Sequence, residues 1–348
     1  MARQLVVGGS GFIGSRLTQA LVDDGNQVRI FDVLKPEFDR EACEYLCGDV
    51  RDRDAISAAM AGVDVVFHCA AQQPVSQKNT RTAAMLMQEV NVEGTFNVLA
   101  AARNSRISKV IFVSSSAIYG VPAENPITDQ TSPRPIEDYG RSKLAAERHC
   151  RDFAGGGLDV TIIRPPPVMG AGRLGVFQIL FDWISRGYNI PVLGCGDQLQ
   201  QWIHIDDCID ACRCAADRAG SAQYNIGAPA ERTLRQLLEG LIRHAGSSSK
   251  VRSFPRRAVE VGIICGSWLG VLPIAPFHAL TYGASAFADV TSVRRELGWQ
   301  ARHDQVTMFQ SAYDWYVARR TEIAARETGS QHQRAPDQRL MRLGRFIP

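Results

Sequence analysis

Short runs of consecutive apolar residues alternate along the chain with stretches in which apolar residues recur every three or four positions. Leu5-Val6-Val7 is the first run and ends in glycine, and Phe12 to Val22 has helical spacing. Val28 to Phe31 is a second run, closed by Asp32, and Glu44 to Leu46 is a third, ending at Cys47-Gly48-Asp49. Val63 to His68, Lys109 to Val113 and Val160 to Ile163 repeat the pattern. Helical stretches at Ala55 to Met60, Met85 to Arg103 and Tyr139 to Phe153 lie between. A strand that is apolar throughout must be covered on both faces, and intervening amphipathic helices supply that cover. The pattern predicts an α/β fold, a doubly wound parallel sheet with helices on both faces.

After Arg164 the texture changes. Pro165-Pro166-Pro167 interrupts any regular element, and a loop with Gly170, Gly172 and Gly175 follows. Val176 to Ser185 reads as a helix, Ile203 to Ile205 as a strand leading into a helix from Asp206 to Ala216, and Thr233 to Ala245 as another helix. The expected division is a doubly wound domain over residues 1–165, with 195–225 returning to it. A smaller lobe takes 166–194 and 226–320, and 321–348 forms a basic, poorly ordered tail. Val261 to Phe277 is apolar and uncharged, but it is 17 residues long and contains Pro273 and Pro276. A membrane-spanning helix needs about 20 predominantly apolar residues. The segment is therefore read as a buried helix or lid, with membrane-surface contact as the alternative and no span.

Charge adds little. The 348 residues carry 39 Lys+Arg against 36 Asp+Glu, and the excess lies in the tail, where seven arginines from Arg319 onward face Glu322, Glu327 and Asp337. No basic face remains for a nucleic acid. The nine cysteines have neither metal-ligand nor disulfide-framework spacing. Cys208, Cys212 and Cys214 are expected in the core of a helix, with no metal site. Met-Ala-Arg-Gln enters the first strand at once, which leaves no room for a signal peptide and makes the cytoplasm the expected location.

Gly8-Gly9-Ser10-Gly11-Phe12-Ile13-Gly14 closes the first strand and opens the first helix. Such a turn brings the backbone close to a bound pyrophosphate, which sits on the unpaired N–H groups at the positive end of the helix. Asp32 lies eighteen residues beyond Gly14 at the end of the second strand. A carboxylate there accepts hydrogen bonds from a ribose diol and repels a 2′-phosphate, which favours NAD over NADP.

The glycine spacing is Gly-x-x-Gly-x-x-Gly. Together with Asp49-Val50, His68-Cys69-Ala70-Ala71, Asn91-Val92-Glu93-Gly94-Thr95 and Ser114-Ser115-Ser116-Ala117-Ile118-Tyr119-Gly120, it resembles the extended short-chain dehydrogenase/reductase family over most of residues 5 to 315. The likeness is to its NAD-dependent epimerase/dehydratase type, with features of the 3β-hydroxysteroid dehydrogenase branch. The resemblance implies a Rossmann-type domain with a C-terminal substrate lobe, and a homodimer formed through Met85 to Ala102 and Tyr139 to Phe153. It also implies NAD held by Gly8, Gly11, Phe12, Ile13, Gly14, Asp32, Asp49, Val50, Cys69, Ala70, Ala71, Asn91, Ser114, Tyr139, Lys143, Pro166 and Val168, with Asp49-Val50 facing the adenine.

Tyr139-Gly140-Arg141-Ser142-Lys143 places a tyrosine and a lysine one helical turn apart on one face. Tyrosine ionises near pH 10, too high for a base at neutral pH, and a nearby ammonium and the positive nicotinamide ring favour its phenolate. Lys143 is also suited to hold the nicotinamide ribose hydroxyls. The family's third member is a hydroxyl residue that orients the reacting oxygen. Counting four before Tyr119 gives Ser115, the favoured choice, and counting to the end of the serine run gives Ser116. Alternation along an extended segment turns these neighbours to opposite sides. Family members that eliminate water carry an acidic pair after the hydroxyl residue, and Ser116-Ala117 supplies none. Hydride transfer at a secondary alcohol or ketone, or epimerisation through it, remains, and 4,6-dehydration does not.

On the substrate side, Pro167 stands where nucleotide-sugar enzymes of the family commonly have asparagine. Gln200 stands where Gln200-Gln201-Trp202-Ile203-His204-Ile205-Asp206-Asp207 would begin with a diphosphate-binding arginine. A second such arginine is expected about ten residues before Asp289, near Ala279. Glutamine lacks the bidentate, charge-assisted contact of arginine, and Arg173 or Arg186 is a substitute. Ser116, Pro167, Arg173 and Gln200 are thus the candidate substrate positions, while His204 and Asp206 are expected to anchor their turn. Two substrates fit: a nucleotide-sugar, or an apolar alcohol or ketone under Val261 to Phe277. A non-catalytic NAD-sensing protein is the third reading, and the intact Ser115, Tyr139 and Lys143 argue against it.

Overall fold

The structure, a computed structural model, describes residues 2–38, 43–73, 80–257, 259 and 280–325. The apolar runs become strands β1 (Arg3–Val7), β2 (Gln27–Asp32), β3 (Cys43–Cys47), β4 (Val65–His68), β5 (Lys109–Val113) and β6 (Val160–Arg164). Short pairs follow: β7 (Val168–Met169) with β9 (Ile203–His204), and β8 (Ile190–Leu193) with β11 (Val251–Phe254). β10 (Ala222–Asn225) returns to the main sheet, a seven-stranded sheet in the order β10-β6-β5-β4-β1-β2-β3, parallel throughout.

The two-residue period of the strands divides the core. Leu5, Val7 and Phe112 point to one face with Val98, Leu99, Ala146 and Cys150, which come from helices α4 (Gly94–Asn104) and α5 (Asp138–Gly155). Val6, Ile111 and Val113 point to the other, against Leu17 of α1 (Phe12–Asp23) and Cys208, Ile209 and Cys212 of α7 (Ile205–Asp217). Cys208 and Cys212 are fully buried, as core cysteines should be, and the cysteines of the described residues are free thiols. A third core joins α6 (Val176–Ser185), α8 (Leu234–His244) and the helix Gln305–Ala318 through Phe181, Trp202, Leu237, Leu241, Phe309 and Tyr316. Thr233 caps α8 in a reciprocal box with Gln236.

The stretch Met85 to Arg103 is not one helix. α3 (Thr80–Met87) passes through a π-helical turn, Gln88–Glu93, before α4 begins. The wider turn lets Asn91 reach the loop after β4: its Oδ1 accepts from the Gln72 N–H at 2.7 Å, and its Nδ2 donates to the Gln72 carbonyl and Ser142 Oγ, each at 2.9 Å. The first residues of the expected irregular tail are helical, in Arg320–Ala325. Residues 326–348 and Val261 to Phe277 lie outside the described residues, so the tail and lid expectations are not addressed. Among the described residues no helix is long and apolar enough to cross a membrane.

His204 and Asp206 anchor their turn as expected. His204 Nδ1 accepts from the Asp206 N–H at 3.2 Å and caps α7, while Asp206 pairs with Arg16 of α1 at 3.0 Å. Fully buried Asp207 accepts from the N–H groups of Arg302 and His303, each at 3.1 Å, and the His204 and His303 rings stack at 4.0 Å.

A buried ionic network fixes α5 to the sheet. Arg164 of β6 meets Glu147 of α5 with two parallel hydrogen bonds, 2.9 and 2.8 Å, and donates to the Tyr119 hydroxyl at 2.9 Å. Ser114 donates to Glu147 at 2.7 Å, and Tyr119 donates to Asn225 of β10 at 2.9 Å. Glu147 is 0% and Arg164 4% exposed, so removing either partner strands a charge inside the protein. Glu147→Ala should therefore cost about 3–5 kcal/mol in urea unfolding at pH 7, with Glu147→Gln losing less because it still accepts hydrogen bonds. Equal stability of wild type and Glu147→Ala would contradict this role.

Candidate active site

The strand order reverses at β1, which has β2 on one side and β4 on the other. A crevice therefore opens beyond the carboxyl ends of β1 and β4. Gly8 turns the chain there with φ +83°, and a Cβ on it would lie 2.5 Å from the Ala70 nitrogen. A Cβ on Gly14 would lie 2.1 Å from the Gly8 carbonyl oxygen, so α1 can sit on the turn only with glycine at that position. Gly11 caps α1 without a side chain, and the first turn holds no acidic residue. The helix N-terminus, with Phe12 and Ile13, is left open to an anion.

Asp32 stands beside this turn. Its Oδ2 accepts from the Ser10 N–H and its Oδ1 from the Leu34 N–H, both at 2.9 Å. Burial raises its pKa, and these backbone donors pull in the opposite direction. Cys69 donates its N–H to the Val7 carbonyl at 2.8 Å, and Ala70 and Ala71 continue from β4 past Gly8. Asp49 is held by Arg51 at 2.8 Å, and that hydrogen bond keeps its carboxyl below the usual range. Val50 packs where a Cβ on Gly94 would come within 2.5 Å of it.

Two of the expected cofactor residues make side-chain contacts within the protein. The Ser114 hydroxyl is turned away to Glu147, and the Asn91 amide is taken up by Gln72 and Ser142. Both position neighbours of the site. Pro166 and Val168 are buried beside Pro165, whose carbonyl accepts the Ser116 N–H at 2.9 Å.

Tyr139, in the first turn of α5, is 8% exposed, with Ser115 and Gln73 beside its phenol. Burial pushes its phenol up to about 12, opposed by Gln73, Arg173 and Ser115 and reinforced by Glu137. Ser115 starts a 3₁₀ turn and accepts the Ala117 N–H at 3.2 Å. The Lys143 ammonium donates to the Val113 carbonyl at 2.7 Å and lies 4.6 Å from the centre of the Phe112 ring. Burial lowers its pKa to about 8. Gln73 and Glu137, the latter pushed up to about 7 by burial, had no motif to mark them.

On the substrate side Gln200 is engaged within the protein. Its amide donates to the Thr281 and Tyr282 carbonyls at 3.0 and 3.1 Å and so clasps the protein itself. Arg186 is taken by Asp182 at 2.7 Å. Pro167 is exposed, and its carbonyl accepts the Ile203 N–H at 3.3 Å. Arg173 remains: its guanidinium carbon lies 5.5 Å from the centre of the Phe12 ring, and its buried Nε has no hydrogen-bond partner among the described residues.

A doubly wound sheet with a glycine turn, a carboxylate at the end of β2 and a buried tyrosine beside a serine together suit a dinucleotide-dependent enzyme. Residues 4–227 match the model of the NAD dependent epimerase/dehydratase family, and the chain belongs to that family, within the extended short-chain dehydrogenases/reductases. It is 40% identical over 340 residues, 97% of this chain and 84% of the other, to uncharacterized protein y4nG of Sinorhizobium fredii. It is 29% identical over 316 residues, 86% of this chain and 92% of the other, to the 4-hydroxy-2-methyl-3-oxo-4-farnesyl-3,4-dihydroquinoline-1-oxide ketoreductase of Stigmatella aurantiaca. MoeE5, solved in complex with UDP-glucose and NAD, superposes with a TM-score of 0.73 at 26% identity, covering 92% of this chain and all of MoeE5. The cofactor is NAD, and the Gly8–Gly14 cradle, the open α1 N-terminus and Asp32 fit it.

Asp32→Ala should weaken NAD binding about ten- to a hundredfold, the worth of a charged hydrogen bond, while leaving NADP binding nearly unchanged. Calorimetry with both dinucleotides checks this, and equal losses would remove the ribose role.

Proposed function

We propose that this NAD-dependent enzyme acts on a nucleotide-sugar, as an epimerase or dehydrogenase and not as a 4,6-dehydratase. The observation that carries the reaction type is the buried Tyr139 phenol, with Ser115 beside it and Lys143 one turn along the same helix. NAD, when bound, supplies the hydride acceptor. Gly8, Gly11, Phe12, Ile13 and Gly14 would hold its pyrophosphate, Asp32 the adenosine ribose, and Val50 the adenine side.

Ser115 orients the substrate oxygen, and Tyr139 Oη takes the hydroxyl proton as the substrate carbon is oxidised and returns it on reduction. Gln73 and Ser115 together fix the phenol, so the proton moves along a preset hydrogen bond. Lys143, anchored on the Val113 carbonyl, stands one turn from Tyr139 where its remaining donors are suited to ribose hydroxyls.

The family match and the UDP-glucose complex of MoeE5 support the nucleotide-sugar reading. The unpaired Arg173 supports it as well, since a diphosphate needs a cation and Gln200 supplies none. The Gln200 clasp also favours a second reading, reduction or oxidation of an apolar ketone or alcohol, as in the Stigmatella ketoreductase. Titration of the NAD-loaded protein with UDP, GDP and dTDP separates the two. One diphosphate should bind at about micromolar strength, roughly 8 kcal/mol. No heat from any of the three would overturn the nucleotide-sugar reading in favour of the apolar substrate.

A further inference from the structure

The uncharged stretch Val261 to Phe277 lies outside the described residues, but the chain on either side of it meets at one face. β8 and β11 form a two-stranded parallel sheet in which Arg252 lies opposite Pro191 and Phe254 opposite Leu193. Alternation along β11 sorts its side chains. Val251, with Ile190 and Val192 of β8, turns inward to the core shared with α6 and α8, and Ser253 accepts a hydrogen bond from Arg235 of α8 at 2.8 Å. Arg252 therefore faces outward, and both it and Lys250 are exposed. The chain turns at Pro255, whose carbonyl accepts the Val259 N–H at 3.1 Å, and exposes Arg256 and Arg257 at the end of the strand. It is back at the same sheet by Tyr282, whose hydroxyl donates to the Pro191 carbonyl at 2.9 Å.

Lys250-Val251-Arg252-Ser253-Phe254-Pro255-Arg256-Arg257 carries four cations and no acid, and between Glu239 and Asp289 the single acid is Glu260. Glu239 is held by Arg235 at 3.2 Å, and Lys250, Arg252 and Arg257 have no ion-pair partner among the described residues. Charge on an edge strand guards against pairing with another strand, but that purpose needs cations on the strand, and Arg256 and Arg257 lie beyond it. Like charges this close repel one another, a cost that a polyanionic surface removes. Two such surfaces are common, nucleic acid and lipid headgroups. Platforms for single-stranded nucleic acid set exposed aromatic rings among the cations, whereas the aromatic residue here, Phe254, is half-buried. The sequence that this face brackets, from Val261 to Ala288, holds no Lys, Arg, Asp or Glu. An uncharged apolar sequence next to a basic cluster suits an anionic lipid layer and not a duplex.

We propose that the outer face of β8 and β11, with Lys250, Arg252, Arg256 and Arg257, docks the protein on a bilayer surface that carries anionic headgroups. The contact is electrostatic and peripheral. Gln200, which holds the Thr281 and Tyr282 carbonyls, ties this face to the substrate side of the site. Docking is independent of which substrate the enzyme takes, and none of the four cations belongs to the cofactor or proton-exchanging residues.

The test sediments the full-length, NAD-loaded protein with vesicles of phosphatidylcholine alone and of phosphatidylcholine with about 30% phosphatidylglycerol, the anionic lipid that the cations require. Binding should need the anionic lipid and fall steeply between about 0.1 M and 0.5 M salt, as screening shortens the reach of the charges. Each cation at such a surface contributes about fivefold, so Arg252→Gln, Arg256→Gln and Arg257→Gln together should weaken binding about a hundredfold, whereas lysine at the three positions keeps it. NAD affinity and urea unfolding on the same samples show that the variants are folded. Single Arg252→Gln and Arg257→Gln, each about fivefold weaker, replace the triple variant if it is not. Equal binding to both kinds of vesicle, or to neither, overturns the proposal. So does unchanged binding in the triple variant, which would pass the contact to the C-terminal arginines, and so does tighter binding to a DNA duplex than to the anionic vesicles at the same salt.

Discussion

The buried pair Glu147–Arg164 is the constraint on which the site depends. It joins the middle of α5 to β6, and through Ser114, Tyr119 and Asn225 it extends to β5, the 3₁₀ turn and β10. Tyr139 and Lys143 stand on the same helix, about two turns and about one turn from Glu147, so the pair sets how far their side chains reach over the sheet. Ion pairs this deep seldom add stability over an apolar core. Here the pair gives a fixed register between the helix that carries the phenol and the strand end that carries Ser115. Asn91 serves the same end from the other side, tying the loop that holds Gln73 to Ser142, one residue before Lys143.

Much of this was legible in the order of the residues. Apolar runs locate the strands of a sheet covered on both faces because burial on two sides leaves no polar alternation to confuse the reading. The glycine turn and Asp32 were readable because each has a local, stereochemical reason. Gly14 admits no Cβ, and Asp32 ends β2 where two backbone N–H groups fix its carboxylate. Ser115 came from counting four residues back from Tyr119, and the structure turns the Ser114 hydroxyl into the network with Glu147.

What was not legible depends on partners distant in sequence. β10, Ala222-Gln223-Tyr224-Asn225, has no apolar run and is a strand because β6 offers it an edge. The π turn that aims Asn91 breaks a stretch whose spacing reads as one helix. Gln200 looks like a weakened phosphate contact until its amide is seen to hold the Thr281–Tyr282 backbone. Spacing does not register the Val113 carbonyl to which the Lys143 ammonium donates. Of the two arginines named as substitutes, only pairing separates them, since Asp182 pairs with Arg186 while Arg173 Nε has no hydrogen-bond partner among the described residues.

The central claim is that Tyr139 exchanges the proton of the reacting hydroxyl in an NAD-dependent reaction. The most direct measurement is the rate at which NAD-loaded Tyr139→Phe and wild type convert a UDP-, GDP- or dTDP-hexose, with NAD affinity measured on the same samples. Loss of the acid–base group should lower turnover by about 10²–10⁴-fold while NAD affinity stays within a few fold. Turnover by the phenylalanine variant within a few fold of wild type would contradict the account.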